Sequence, residues 1–205
     1  MKKHTSLYFA GGIAVVLAVL FWLGGKGAAP HPAVTDPNNL PGIQTGEAPW
    51  QAETAQLKAR LADIGLPALT KEGAALHNHQ HLDIFIHRKI VPVPQDIGID
   101  DAARFIAPIH THDTAQIIHV ESPVVQDFTL GQFFDIWGVR LTNQCIGGYC
   151  TTASSTLAMF VNGAPYTENP RDLVLAPHQE IVIAYGLKEE LPKQIPSSYS
   201  FPQGY

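Results

Sequence analysis

The sequence predicts an α+β fold: a compact, mostly antiparallel β-sheet domain with one or two short helices, behind an N-terminal transmembrane helix. Three observations lead to this prediction. The chain begins with a long uncharged apolar run, Leu7 to Leu23. From His77 onward it consists mainly of short β-like runs separated by turn residues. Two other segments carry the start and stop signals of helices.

The apolar run is assigned to a signal anchor or transmembrane helix within residues 1–24. Residues 7–23, at about 1.5 Å each, would just cross the core of a bilayer as a helix. A cleavable export signal is the alternative, but its apolar region is usually shorter, roughly 7 to 15 residues, and no A-x-A site follows here. Lys2 and Lys3 precede the run and only Lys26 closely follows it. The positive-inside rule therefore predicts a single-pass protein of the inner or plasma membrane, with its C-terminal domain facing the periplasm or the cell exterior.

Two segments separate this anchor from the domain. Residues 25–46 are predicted to be a linker, because they are dense in Gly, Pro and small polar residues. Residues 47–66 are predicted to be an amphipathic helix, since Leu57, Leu61 and Ile64 follow helical spacing and a Gly-x-Pro sequence supplies the stop. This helix either packs on the domain or forms a short stalk, and periodicity alone does not distinguish the two.

Residues 70–205 are predicted to form the β-rich domain. Three hairpins are expected, which pair HLDIFIH with KIVPV, RFIAPIHTH with QIIHVES, and TLAMFV with YTENPRDLVL, and EIVIAYG is expected to be a closing strand. Within FTLGQFFDIWG, Thr129 and Gln132 form a capping box and Gly138 supplies the stop, which predicts a short helix. The tail PSSYSFPQGY is too rich in Pro and Ser for a strand, and its aromatic residues are expected to lie against the domain.

Composition argues against several classes of function. The chain has 18 acidic and 13 basic side chains, a formal charge of -5, and no basic patch with interleaved aromatics, so we expect no nucleic-acid partner. It contains no G-x-S-x-G motif, so hydrolysis by a serine nucleophile has no support. Cys145 and Cys150 are expected to form a disulfide in an oxidising compartment, with thiolate ligation of a metal as the alternative.

The histidines of the chain are concentrated between His77 and His119. In HNHQHLDIFIH, side chains are expected to alternate between the two faces of a strand. One face carries the apolar residues Leu82, Ile84 and Ile86 toward the core. The opposite face carries His77, His79, His81, Asp83, Phe85 and His87. Successive residues on one face lie about 6.6 Å apart, so two such histidines can reach a metal between them.

A second histidine cluster lies in IHTHDTAQIIHVES. A turn at residues 113–116 pairs His110 with His119, whether the loop has two residues or four. Directly paired residues point to the same face of a hairpin. A three-residue loop would instead turn His119 to the other face. The hairpin is therefore predicted to present one polar face formed by His110, His112, His119 and Glu121.

These clusters predict a site for a divalent transition metal, with copper and zinc favoured and iron as a further candidate. Two imidazoles from one strand and a third from its neighbour leave an open coordination position. His110, His112 and His119 are the expected core ligands. The other strand supplies further candidates, which either complete this site or build a second one: His79, His81 and His77 at the strand edge.

Three functions fit this constellation. The first is a membrane-anchored extracytoplasmic protein that binds a metal ion. The second is a mononuclear three-His metalloenzyme acting on a small molecule, with Glu121 as acid or base. Glu121 is otherwise a fourth ligand or an acceptor for a histidine N–H. The third is a metal-free interaction domain that responds to pH through its histidines. Apart from the membrane and a metal ion, the sequence indicates no particular partner.

Overall fold

The computed structural model describes residues 36–205. The apolar run of residues 7–23 and the predicted anchor lie outside the described residues. Within residues 36–205, no helix is both long enough and apolar enough to cross a membrane. The same part of the chain contains two α-helices and eleven strands. In chain order they are α1 (Leu57–Asp63), β1 (Leu76–Ile86), β2 (Lys89–Val91), β3 (Ile99–Asp100), β4 (Phe105–Ile106), β5 (Ile109–His110), β6 (Ile117–Ser122), α2 (Leu130–Trp137), β7 (Cys145–Ile146), β8 (Tyr149–Cys150), β9 (Ser155–Val161), β10 (Ala164–Tyr166) and β11 (Glu180–Leu187).

A seven-stranded sheet forms the centre of the domain, in the order β10-β9-β11-β1-β6-β5, with β2 also paired to β1. Its neighbouring strands are antiparallel except β1 and β11, which are parallel. Two small sheets, β3-β4 and β7-β8, have two strands each. The predicted class, a compact α+β domain with mostly antiparallel sheet and two helices, is confirmed for the described residues.

The first two predicted hairpins form, with one change of partner, and the third forms with a different second strand. β1 pairs with β2. β9 pairs with β10, which covers Ala164–Tyr166, whereas a strand over residues 166–175 was predicted, and Pro170–Asp172 is instead a short 3-10 helix. β5 pairs with β6 and sets His110 opposite His119, as predicted from the length of the loop between them. The ladder ends at this pair, so His112 lies just beyond it. Phe105 and Ile106, which were predicted to continue the His110 strand, instead form β4 and pair with β3.

At β1 and β6, the central sheet has an apolar face and a polar face. Leu82, Ile84 and Ile86 are buried in the core, as the alternation along β1 predicted. In β6, Ile118 and Val120 belong to the same core. Both helices contribute to it through Leu57, Leu61, Phe133, Phe134 and Trp137, and Ile64 adds to it just after α1. The side chains that alternate with the apolar residues of β1 and β6 therefore project from the face opposite this core.

Helix α2 forms as predicted. It begins after Thr129, whose hydroxyl accepts a hydrogen bond from the backbone N–H of Gln132, while the Gln132 side chain accepts one from the backbone N–H of Thr129. It ends at Gly138, which adopts the left-handed conformation with φ of 77°. The capping box and the terminal glycine thus satisfy backbone groups at both ends of the helix.

Helix α1 is shorter than the segment of residues 47–66 that was predicted to be helical, because it covers Leu57–Asp63 only. Gln51 lies in the part that is not helical. Its N–H and C=O form hydrogen bonds of 3.1 and 2.9 Å with the side chain of Gln44, and its C=O also accepts the indole N–H of Trp137 at 3.1 Å. These tertiary bonds occupy the backbone groups that a helix would need.

The two cysteines face each other in the β7–β8 hairpin. Cys145 is paired with Cys150 across the ladder, and their sulfur atoms are at disulfide-bonding distance. The Tyr185 hydroxyl donates a hydrogen bond of 2.9 Å to the backbone carbonyl of Cys150, which ties the hairpin to β11. The arrangement fits the predicted disulfide, and thiolate ligation of a metal therefore has no support.

Candidate metal centre

His110 is held in one orientation by the backbone. Its ring is fully buried, and its Nδ1 lies 2.9 Å from the carbonyl oxygen of Ala107. Because a carbonyl only accepts, Nδ1 carries the proton of this bond and Nε2 is left with its lone pair. Burial, with the nearby His112, lowers the pKa of His110 to about 3. The ring is therefore neutral near pH 7 and presents a nitrogen that can bind a metal.

His112 completes a close pair of imidazoles. Its Nε2 lies 3.1 Å from Nε2 of His110, although His112 is beyond the end of β5. Two nitrogens bound tetrahedrally to one zinc ion, each about 2.0–2.1 Å from it, would be about 3.3 Å apart. The side chain is 37% exposed, and its Nε2 is also 3.4 Å from a carboxylate oxygen of Glu72. This pair is therefore open to solvent at one end.

Strand β6 adds an imidazole and a carboxylate. His119 and Glu121 are both buried, and Nδ1 of His119 lies 3.3 Å from Oε1 of Glu121. Burial by itself raises the pKa of Glu121, but the hydrogen bond with His119 and the imidazoles around it outweigh that effect and hold the pKa well below its usual range. Glu121 is therefore an anion at neutral pH.

These four residues form a group that could hold a metal ion. His110, His112, His119 and Glu121 each offer one donor atom, and these atoms all lie within 4.8 Å of one another. The sequence predicted this set, because a hairpin loop of two or four residues sets His110 opposite His119. The structure has this pairing.

Strand β1 brings two further histidines to Glu121. His77 is paired with Glu121 and His79 with His119 across the β1–β6 ladder. The Nε2 atoms of His77 and His79 are 3.2 Å apart, and Nε2 of His77 is 3.3 Å from Oε1 of Glu121. Burial, followed by the neighbouring His119 and His77, lowers the pKa of His79 to about 4. His77, His79 and Glu121 form a second group of mutually close donor atoms.

His81 has different neighbours, although it shares a strand face with His77 and His79. Its Nδ1 is 2.9 Å from a carboxylate oxygen of the buried Glu180 on β11. The ring of Tyr199 stacks on it, with centroids 3.8 Å apart and planes 6° from parallel. His81, Asp83 and Glu180 make a third group of close donors. The structure thus gathers His77, His79, His110, His112 and His119 around Glu121 and sets His81 apart.

Sequence reasoning missed several residues around the histidines. Glu72 lies beside His112, and Glu180 is paired with His81. The ring of Tyr205 lies 4.4 Å from that of His79 and 5.3 Å from that of His119. The aromatic residues of the tail did indicate that it packs on the domain, and this prediction is confirmed. Nothing in the local pattern indicated that the tail covers the histidine face.

No family model, curated protein or solved structure matches the chain. The chemistry of the site therefore follows from its donors. These are imidazole nitrogens and carboxylate oxygens, because the two cysteines are bonded to each other. Such donors suit first-row divalent transition metals, and imidazole binds zinc, copper, iron and nickel.

Proposed function

We propose that this protein is a membrane-anchored, extracytoplasmic metal-binding protein that holds a divalent transition metal through His110, His112, His119 and Glu121. One observation carries the proposal. Nε2 of His110 bears a lone pair, because Nδ1 is bound to the Ala107 carbonyl, and it points at a second imidazole nitrogen only 3.1 Å away. A cation between these nitrogens would replace a contact between two weakly basic rings with two metal–ligand bonds.

The protonation of the site favours metal binding at neutral pH. A metal displaces any proton held by its ligands, so ligands that are already deprotonated bind more readily. The lowered pKa values of His110 and Glu121 leave an imidazole lone pair and a carboxylate free near pH 7. Three imidazoles and one carboxylate fit zinc or cupric copper, with iron as a further candidate.

The metalloenzyme and pH-sensor alternatives have weaker support. A carboxylate whose pKa is held as low as that of Glu121 is a weak base, so it is poorly suited to abstract a proton near pH 7. His79 and His110, with pKa values of about 4 and 3, stay neutral through mild acid. A switch between two folded forms near pH 6 would require histidines of the folded protein to become protonated there, and these two do not. Binding of a metal therefore uses the observed geometry and charge better than either alternative.

Placement at a membrane is supported by the sequence. The apolar run from Leu7 to Leu23 follows two lysines, which indicates an anchor with the domain outside the cytoplasm. A disulfide-bonded pair, Cys145 and Cys150, is typical of an oxidising compartment. The test is fractionation of cells that produce the full chain, followed by protease treatment of intact spheroplasts. Recovery in the soluble fraction, or protection of the domain from protease, would contradict the proposal.

Metal content is the decisive measurement. The full chain, purified in detergent without a histidine tag, should contain zinc or copper by elemental analysis or take it up on titration. A variant with His110→Ala, His112→Ala and His119→Ala should lose that metal. The matched control is His87→Ala, because His87 is bound to Glu190 at 2.7 Å and belongs to none of the donor groups in the described part of the chain. A wild-type protein that neither contains nor takes up metal would overturn the proposal.

A further inference from the structure

We infer that the histidine face binds two metal ions that share the carboxylate of Glu121, and this inference rests on the proposed function. The first ion lies among His110, His112, His119 and Glu121. The second lies among His77, His79 and Glu121. His77 and His79 thus belong to a second site, and Glu121 bridges the two ions.

The order of the strands explains why one carboxylate serves both sites. β6 lies between β5 and β1, and neighbouring strands are about 4.8 Å apart. Across this part of the sheet, His79, His119 and His110 form one row of directly paired residues. The next row pairs His77 with Glu121. The imidazoles of β1 therefore approach Glu121 from one side. The imidazoles of His110, in β5, and His112, just after it, approach from the other side.

One carboxylate oxygen of Glu121 lies close to a histidine of each group. Oε1 of Glu121 is 3.3 Å from Nδ1 of His119 and 3.3 Å from Nε2 of His77. Metal ions in two-metal sites are typically about 3.5–4 Å apart, a separation that one shared carboxylate can bridge. The structure thus puts an anionic oxygen where it reduces the repulsion between two cations.

A single ion would leave part of this cluster unexplained. Three imidazoles and Glu121 already supply the four ligands of a tetrahedral zinc site. His77 and His79 remain as a separate pair whose Nε2 atoms are 3.2 Å apart, close to the 3.1 Å of the pair formed by His110 and His112. Two pairs with the same nitrogen-to-nitrogen geometry, on opposite sides of one carboxylate, indicate two ions.

The two sites differ in exposure, which predicts the order of filling. The side chain of His77 is 54% exposed, whereas His110 is fully buried. The second site also has fewer protein ligands, since it offers two imidazoles and the shared carboxylate. The first ion should therefore bind at the buried group. The second should bind more weakly and exchange more readily with solvent.

Stoichiometry tests the second site. The full apo chain in detergent is titrated with zinc, desalted and analysed for bound metal, with a His4→Ala, His31→Ala background to remove the N-terminal histidines. We expect two ions per chain in this background and in the His87→Ala control. We expect one ion when His77→Ala and His79→Ala are combined. His77→Ala alone changes an exposed side chain and should weaken the second ion at least about tenfold, since even groups that only orient ligands contribute that much.

Electron paramagnetic resonance of the copper-loaded chain tests the shared carboxylate. One equivalent of cupric ion should give an isolated signal, and a second equivalent should give spin–spin coupling instead of a doubled signal. If the His4→Ala, His31→Ala background itself binds only one ion, and the His77→Ala, His79→Ala change does not remove it, the second site is overturned but the proposed function stands. Two uncoupled ions would overturn the bridge, and no bound ion would overturn both proposals.

Discussion

His79 and His81 lie on the same face of the same strand, and both are buried. Their surroundings nevertheless differ. His79 lies opposite His119 on β6, and its Nε2 is 3.2 Å from that of His77. His81 lies opposite Glu180 on β11, with its Nδ1 2.9 Å from the carboxylate, and the ring of Tyr199 covers it. The first histidine has imidazoles as partners, whereas the second has a carboxylate.

This difference shows that the neighbouring strand decides what a strand-borne histidine can do. A histidine hydrogen-bonded to a buried carboxylate already has the partner that its N–H requires. A histidine whose nitrogen faces other imidazole nitrogens lies where a cation would be bound. We therefore treat the cluster around Glu121 as the metal centre and the His81–Glu180 pair as a stabilising contact. Substitutions in the two groups test this division.

The largest effect is expected from His81→Ala. This change leaves the carboxylate of Glu180 buried without its imidazole partner, and breaking such a pair costs about 3 kcal/mol of the free energy of unfolding. Denaturant unfolding of the apo protein measures the loss. The metal content should not change. A double variant that adds Glu180→Gln removes the buried charge and should recover part of the stability, and loss of metal in His81→Ala would contradict the division between the two sites.

Metal binding at the cluster around Glu121 should raise the free energy of unfolding by an amount similar to the loss expected from His81→Ala. A free metal concentration 100 times the dissociation constant adds about 2.7 kcal/mol to the free energy of unfolding. For a chain of this size that corresponds to a rise in melting temperature of about 5–10 °C. Combining His110→Ala with His112→Ala should abolish the rise, whereas His81→Ala should retain it. A metal-dependent rise that persists without His110 and His112 would place the ion elsewhere.

The features that sequence predicted correctly depend on residues close together in the chain. The even number of residues in one short loop predicted that His110 lies opposite His119. A capping box predicted that α2 begins after Thr129. Alternation along β1 assigned Leu82 and Ile84 to the core. Each of these rules acts over a few residues, so a single sequence contains what it requires.

The features that sequence did not provide depend on contacts between distant segments. His81 was grouped with His77 and His79, because the pattern of β1 does not reveal that β11 pairs beside it in parallel. Tertiary bonds of Gln51, not local propensity, set the late start of α1. Strand order and such contacts follow from packing of the whole domain, which a local pattern does not encode.

The apo protein should lose stability in mild acid through His110. Its pKa is about 3 in the folded protein and about 6.5 in an unfolded chain. Between these values the unfolded state binds a proton that the folded state does not, so this contribution is complete above pH 6.5 and is lost as the pH falls. One such group gives at most about 1.4 kcal/mol per pH unit. Denaturant unfolding at several pH values should show a shallower dependence for His110→Gln than for wild type, and equal slopes would contradict the prediction.

The smallest effect concerns the stack of Tyr199 on His81. Parallel rings with centroids 3.8 Å apart contribute about 1 kcal/mol beyond the area that they bury, so Tyr199→Leu should reduce the free energy of unfolding by about that amount. Metal content should stay at the wild-type value, because Tyr199 contacts the histidine that is set apart from Glu121. A double-mutant cycle with His81→Ala isolates the pair, since a ring contact makes the two losses non-additive. Strict additivity would show that Tyr199 acts through another contact, and a reduced metal content would show that the His81 pair and the metal centre are coupled.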